Sequence, residues 1–159
     1  MPQTLKPPAA DPATVPVRTG SSLPEQFRQA IASRRKRRIG DAVGITQYGV
    51  NLVDLGPGDM SSQRHWHEVE DEFVYVLEGE LTLITDEGEQ VLASGHCAGF
   101  PAGKSSGHHM INRSAKPARY LEIGTRVKDD VVHYSDIDLD LKVVNDAEHW
   151  TDKKGKPYR

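Results

Sequence analysis

The sequence predicts an all-β fold, an antiparallel sandwich or barrel. Three observations carry this. Short β-prone segments recur from residue 45 onward, each ends at a turn rich in Gly, Pro or Asp, and only one stretch, before residue 40, has the apolar spacing of a helix. At 159 residues the chain is long enough for one domain with a core of its own and too short for two.

Residues 1–20 are rich in Pro and Ala without periodicity and read as an extended arm. A short helix signal follows. Ser22 stands as N-cap, Pro24 lies early in the first turn, Glu25 completes a capping box, and Phe27, Ala30 and Ile31 share a face. The helix is expected to run into Arg34-Arg35-Lys36-Arg37-Arg38 and stop by Gly40. That basic run reads either as a nucleic-acid patch or as cations at a helix C-terminus that pair with acidic surface; without interleaved aromatics the second is preferred. ITQYGVNLVDL is β-prone and ends at Gly56-Pro57-Gly58. Strands are predicted at 73–77, 80–84, 90–92, 98–100, 108–112 and 119–124. Beyond Lys128, Val131, Val132, Tyr134, Ile137, Leu139, Leu141 and Val143 can add edge pairing before a basic tail. The expected organisation is an arm and short helix over 1–40, a β-domain over 41–127 and an extension over 128–159 that packs on the domain or on a partner.

Composition narrows the function classes. A formal net charge of −3 gives no general attraction to nucleic acid or anionic membrane. No apolar run is long enough to span a bilayer. The N-terminus lacks the apolar core of a secretory signal, and the single cysteine, Cys97, permits no internal disulfide. A cytoplasmic location is expected. Cys97 itself is expected to be a small buried filler.

The chemistry concentrates at His65-Trp66-His67, followed by Glu72 and later by His108. In a strand, side chains alternate, so His65 and His67 point to one side and Trp66 to the other. Imidazoles with a carboxylate suit a divalent metal ion such as Fe, Mn, Zn or Ni. Gln63 has the parity of the pair and is a candidate to line the mouth of the site. Lys104 is a candidate rim contact for an anionic substrate, although a solvated loop lysine is the simpler reading. Phe100 and Tyr120 read as core, and Tyr75 as outer-sheet packing.

Written out, the two motifs are Gly58-x6-His65-x-His67-x4-Glu72-x6-Gly79 and Gly95-x5-Pro101-x-Gly103-x4-His108-x3-Asn112. They resemble the two signature motifs of the cupin superfamily. The resemblance implies a double-stranded β-helix, or jelly-roll barrel, with a short N-terminal helix and extended arms at both ends. It also implies a metal held by His65, His67, Glu72 and His108, with Asn112 in a structural role. Two extra residues precede His108 relative to the family pattern, leaving His109 as the alternative; the His-x3-Asn spacing selects His108. The runs HWHEVEDEFVYVLEGELTLITDEGE, AGFPAGKSSGHHMIN and RYLEIGTR further resemble a group of small single-domain bacterial cupins, some of them labelled sugar-phosphate isomerases.

The expected function is that of a metal-dependent enzyme on a small oxygenated metabolite, with isomerase, epimerase or dioxygenase chemistry. A non-catalytic ligand-binding or sensor cupin is the alternative. A DNA-binding regulator is disfavoured, since the region before the barrel offers one short helix and not the several that such a domain needs. Exchange of the terminal arms predicts a homodimer.

Overall fold

A computed structural model gives the structure of residues 5–158. The first four residues of the predicted arm and the last of the predicted tail lie outside the described residues. Twelve strands are present among those described: β1 (Arg35–Arg37), β2 (Tyr48–Leu55), β3 (His65–His67), β4 (Glu72–Glu78), β5 (Glu80–Thr85), β6 (Gly88–Ala93), β7 (Cys97–Phe100), β8 (His109–Ile111), β9 (Ala118–Thr125), β10 (Asp130–Tyr134), β11 (Asp140–Val144) and β12 (Ala147–Thr151). They form a jelly-roll barrel, with all strand pairs antiparallel.

One layer is the five-stranded sheet β1-β2-β9-β4-β7. The other comprises the sheet β12-β11-β10-β3 and the sheet β6-β5-β8. An antiparallel bridge between His65 and His108 joins β3 to the start of β8, and these two residues exchange both backbone hydrogen bonds. Directly paired residues share a face, so register decides what enters the barrel. In the five-stranded sheet, one row runs Phe100, Glu72, Gly124, Gly49; the next runs Ala98, Val74, Glu122, Asn51; and the third runs Val76, Tyr120, Val53, Lys36. In the facing layer, His108, His65 and Tyr134 form one row.

Two apolar clusters form the core. Val53, Leu55, Val74, Val76, Leu81, Leu83, Leu92, Met110, Ala118 and Tyr120 fill one end of the barrel. Leu23, Ile31, Val132, Tyr134, Leu139 and Leu141 pack the N-terminal segment onto the sheet that carries β10 and β11, with Phe27, Trp150 and Tyr158 against them. Each fully buried Leu or Val side chain contributes on the order of 1.5–3 kcal/mol. Gly79 makes the tight turn from β4 to β5. It has φ +75°, and a Cβ there would lie 2.8 Å from the Pro117 carbonyl oxygen, so the turn admits only glycine without a backbone shift.

The N-terminal segment departs from expectation. The helix α1 covers only Glu25–Arg28, followed by a 3-10 turn through Ile31, and Pro24 rather than Ser22 occupies the N-cap. The Ser22 hydroxyl instead donates to Glu148 on β12. The basic run does not continue the helix: Arg35–Arg37 form β1 and pair with β2. A helix this short gains little by itself, whereas the edge of β2 offers a row of unpaired backbone groups. Cations expected at a helix end therefore lie on a strand. A second single-turn helix, α2 (Ile39–Ala42), follows. Cys97 also differs from expectation, being exposed rather than buried. β7 is the edge strand of its sheet, and Cys97 pairs with Tyr75, which points outward.

Candidate metal centre

Strand alternation places His65 and His67 on the inner face of β3 and sends Trp66 outward, where it stacks on His133 of the paired strand with ring centroids 4.4 Å apart. Glu72 opens β4 on the opposite layer. The Glu72 Oε2 atom lies 3.5 Å from His65 Nε2, 3.5 Å from His67 Nε2 and 2.8 Å from His108 Nε2. The four side chains expected as ligands therefore meet at one carboxylate oxygen. His109 does not join them; its Nδ1 faces the Ser62 carbonyl oxygen at 3.1 Å.

The outer nitrogens reveal how the rings are held. His65 Nδ1 lies 2.8 Å from the Gln63 carbonyl oxygen, and His67 Nδ1 lies 2.6 Å from Asp130 Oδ2. Acceptors at both positions put the proton on Nδ1 and leave Nε2 as a lone pair directed at Glu72. Asp130 is itself fixed, with its other oxygen accepting from the Val69 amide. His108 is positioned differently: Phe100 stacks flat against it with centroids 3.6 Å apart, and its buried Nδ1 has no partner. Glu72 Oε2 is likewise buried without a hydrogen bond of proper geometry.

Lone pairs gathered around an ionised oxygen repel unless a cation lies among them. Where no ion lies among them, protonation of the imidazoles supplies the positive charge instead: burial alone would raise the pKa of Glu72, but a charged His65 and the approach of His108 at 2.8 Å hold it well below the ordinary carboxylate range. Burial pulls His108 down, and the attraction of Glu72 does not restore it. For His67 the balance is reversed, since Asp130, Glu72 and Glu70 outweigh burial and raise its pKa. Among the described residues, His65, His67 and Glu72 form a group able to hold a metal ion, and His108 extends it. Three imidazoles and one carboxylate fit a divalent transition ion and leave room for further ligands.

Two cavities touch both Glu72 and the histidines. One, of about 210 Å³, is lined by Glu72, His65, His108, Gln63, Arg34, Lys36, Tyr120 and Glu122 among others. The second, of about 470 Å³, reaches Glu72, His67 and His108 from the side of Lys104, Glu87 and Trp66. Gln63 thus lines the site, but its side-chain amide donates to the Phe27 carbonyl while its own carbonyl orients His65. Lys104 lies at the rim of the larger cavity, in a loop pinned by the Gly103 amide to the His67 carbonyl. Sequence reasoning missed Asp130, Phe100, Glu122 and Arg34. For Glu122 a signal was available, an acidic residue of inward parity in an apolar strand.

The fold is a two-layered β-barrel in which inward histidines face a strand-borne carboxylate, a cluster that could hold a metal ion. The family described as Cupin domain matches residues 51–124. A sugar phosphate isomerase from the cupin superfamily of Silicibacter pomeroyi is 42% identical, with 95% of this chain and 96% of that chain covered and a TM-score of 0.91. A second structure, from Acidithiobacillus ferrooxidans and named provisionally as a sugar phosphate isomerase, is 32% identical over 79% of this chain and 80% of that one, with a TM-score of 0.73. The tetracenomycin polyketide synthase protein TcmJ of Streptomyces glaucescens is 31% identical over 101 residues, which span 64% of this chain and 65% of that protein. The chain belongs to the cupin superfamily.

The hydrogen bond from His67 to Asp130 yields a direct expectation. Asp130→Asn should weaken metal binding by about 10–100-fold, the usual effect of removing a carboxylate that orients a ligating histidine. Competition with a chromophoric chelator measures this; unchanged affinity would reduce Asp130 to a packing role.

Proposed function

We propose that the chain is a metal-dependent isomerase acting on a small oxygenated metabolite, with His65, His67, Glu72 and His108 as the metal ligands. The observation that carries the reading is Glu72 Oε2, buried and faced by three imidazole Nε2 atoms, two of them on rings whose Nδ1 is already committed to an acceptor. The sugar phosphate isomerase names of the relatives from Silicibacter pomeroyi and Acidithiobacillus ferrooxidans support the choice of isomerase chemistry. A divalent ion bound here supplies Lewis acidity toward a carbonyl or hydroxyl oxygen of the substrate.

The chain's own residues provide the remainder. Glu122 lines the smaller cavity, accepts from Lys36 Nζ at 2.6 Å and from Asn51 Nδ2 at 3.0 Å, and is the carboxylate available to take a proton from substrate carbon. Burial raises its pKa, but the Lys36 charge and hydrogen bond together with Arg34 lower it further, so it is ionised at neutral pH. Tyr120 and Phe100 line the cavity with aromatic surface.

The test has two stages. Protein purified without chelator or metal-affinity resin should contain close to one transition-metal ion per chain by elemental analysis. Incubation with a panel of aldose phosphates in D2O should then place deuterium at the carbon beside the carbonyl, read by NMR. Absence of metal would sink the metal-dependent reading. Full metal content with substrate-dependent oxygen uptake and no deuterium exchange would replace isomerisation with oxygenation.

The same proposal includes a homodimer. Phe73, Tyr75 and Leu77 line the outer face of β4 and are exposed, forming an apolar strip that a second copy can cover. Sedimentation at micromolar concentration should give a species of twice the chain mass; a monodisperse monomer would overturn it.

A further inference from the structure

We propose that Arg34 is the anchor for an anionic group on the substrate, so that the cavity takes a small phosphorylated or carboxylated metabolite. The inference rests on the metal-dependent reading above and adds the substrate's charge and the residue that recognises it.

The basic run is divided by strand alternation. Arg37, with outward parity, pairs with Asp54 at 2.9 Å. Arg34 and Lys36 have the opposite parity, and both line the cavity that holds Glu72. Lys36 is committed to Glu122. Arg34 has no carboxylate partner among the described residues. Its Nη1 donates to the Ser61 carbonyl at 2.5 Å and its Nη2 to the Gly20 carbonyl at 3.4 Å, which fixes the guanidinium plane, while its Nε is buried with no partner.

Unpartnered buried polar atoms are rare in folded proteins, and each implies a missing partner. Those found among the described residues belong to Arg34, Arg37, Glu72, His108 and Tyr120. All except Arg37 line this one cavity. The Glu72 atom is accounted for by the metal centre, whereas His108 Nδ1 lies on the opposite edge of its ring from the Nε2 that faces Glu72 and is not. Of the remaining atoms, Arg34 Nε belongs to the one charged donor, and an oxyanion beside it can also take the Tyr120 hydroxyl.

Charge gives the same answer. Arg34 and Lys36 are balanced by Glu72 and Glu122 on the cavity wall, so a bound divalent ion gives the lining two surplus positive charges. A phosphate monoester near neutral pH, or a dicarboxylate, restores neutrality. At about 210 Å³ the cavity is below the usual range for drug-sized ligands and suits a compact metabolite.

The test compares binding of 2-phosphoglycolate, malonate and glycolate to the metal-loaded protein by calorimetry. The wild type should bind 2-phosphoglycolate or malonate at least about tenfold more tightly than glycolate, and whichever dianion wins identifies the group recognised. Arg34→Gln should abolish that preference, Arg34→Lys should restore part of it, and Tyr120→Phe should lower dianion affinity severalfold without touching the carbonyl contacts of Arg34. If Arg34→Gln and Arg34→Lys both keep the wild-type preference, or if Lys104→Gln removes it instead, the anchor is not Arg34. Metal content measured on the same samples separates the two failures. A wild type without metal ends the metal-dependent reading, whereas a fully loaded Arg34→Gln with unaltered preference ends only the anchor.

Discussion

Replacing His65 and His67 together by alanine should leave a folded barrel that no longer holds metal. Both side chains project from a strand whose register is set by backbone hydrogen bonds to β10 and, at His65, to His108, so the scaffold does not depend on them. The cost is local. Asp130, with its side chain 4% exposed, loses the imidazole at 2.6 Å, and a buried acceptor without its donor costs about 1–3 kcal/mol. Relief of the crowding around Glu72 offsets part of this. Metal affinity should fall by well over about 100-fold, since ligands matter more than the groups that orient them. The clearest readout is thermal. At free metal a thousand times its dissociation constant, the wild type gains about 4 kcal/mol of stability, and the variant should gain none. An equal metal-induced rise in both proteins would place the ion elsewhere.

The second large effect is expected at Asn112. Its side chain is fully buried and makes four hydrogen bonds. Nδ2 donates to the Leu55 and Lys116 carbonyls, and Oδ1 accepts from the Ser114 amide and hydroxyl. Its backbone also ties the β2–β3 loop, accepting from Gly58 and donating to Asp59. Asn112→Ala removes the side-chain bonds together and leaves a cavity, and should destabilise the protein by about 3–5 kcal/mol; the buried Leu55 carbonyl loses the amide donor, while the Lys116 carbonyl keeps the Ser114 hydroxyl. Urea denaturation measures it through the transition midpoint. A loss below about 1 kcal/mol would mean that water replaces the amide. The same substitution should weaken metal retention, since Asn112 follows directly on β8, whose other end adjoins His108.

The meeting of His65, His67, Glu72 and His108 was legible in the sequence because its signal is local. The alternation of His65 and His67 needs three residues of strand, and the spacing from His108 to Asn112 is four. Strands with apolar alternation, such as β4 and β10, were equally visible. The basic run was not, for a physical reason. Five consecutive cations have no hydrophobic periodicity, so their alternation between inner and outer faces is hidden until β2 supplies the pairing. The partner that commits Lys36 to the interior, Glu122, lies 86 residues away in sequence. Cys97 was misplaced because a small residue carries little directional information, and its exposure follows from the edge position of β7. Phe100 was read as core, which its composition fits; its flat stacking on His108 depends on a register between two sheets that no local pattern encodes. Asp130 was invisible for the same reason, being 63 residues from the histidine that it orients.

The division of labour between β1 and the barrel has an evolutionary consequence. The stretch matched by the Cupin domain family begins at residue 51, after Arg34 and Lys36 have already entered the cavity from a three-residue edge strand. A lineage can exchange that strand for another without disturbing any of the four proposed metal ligands. On the proposed reading, kinship measured over the barrel tracks the inherited ligand cluster, while the choice of metabolite drifts with a few residues at its border.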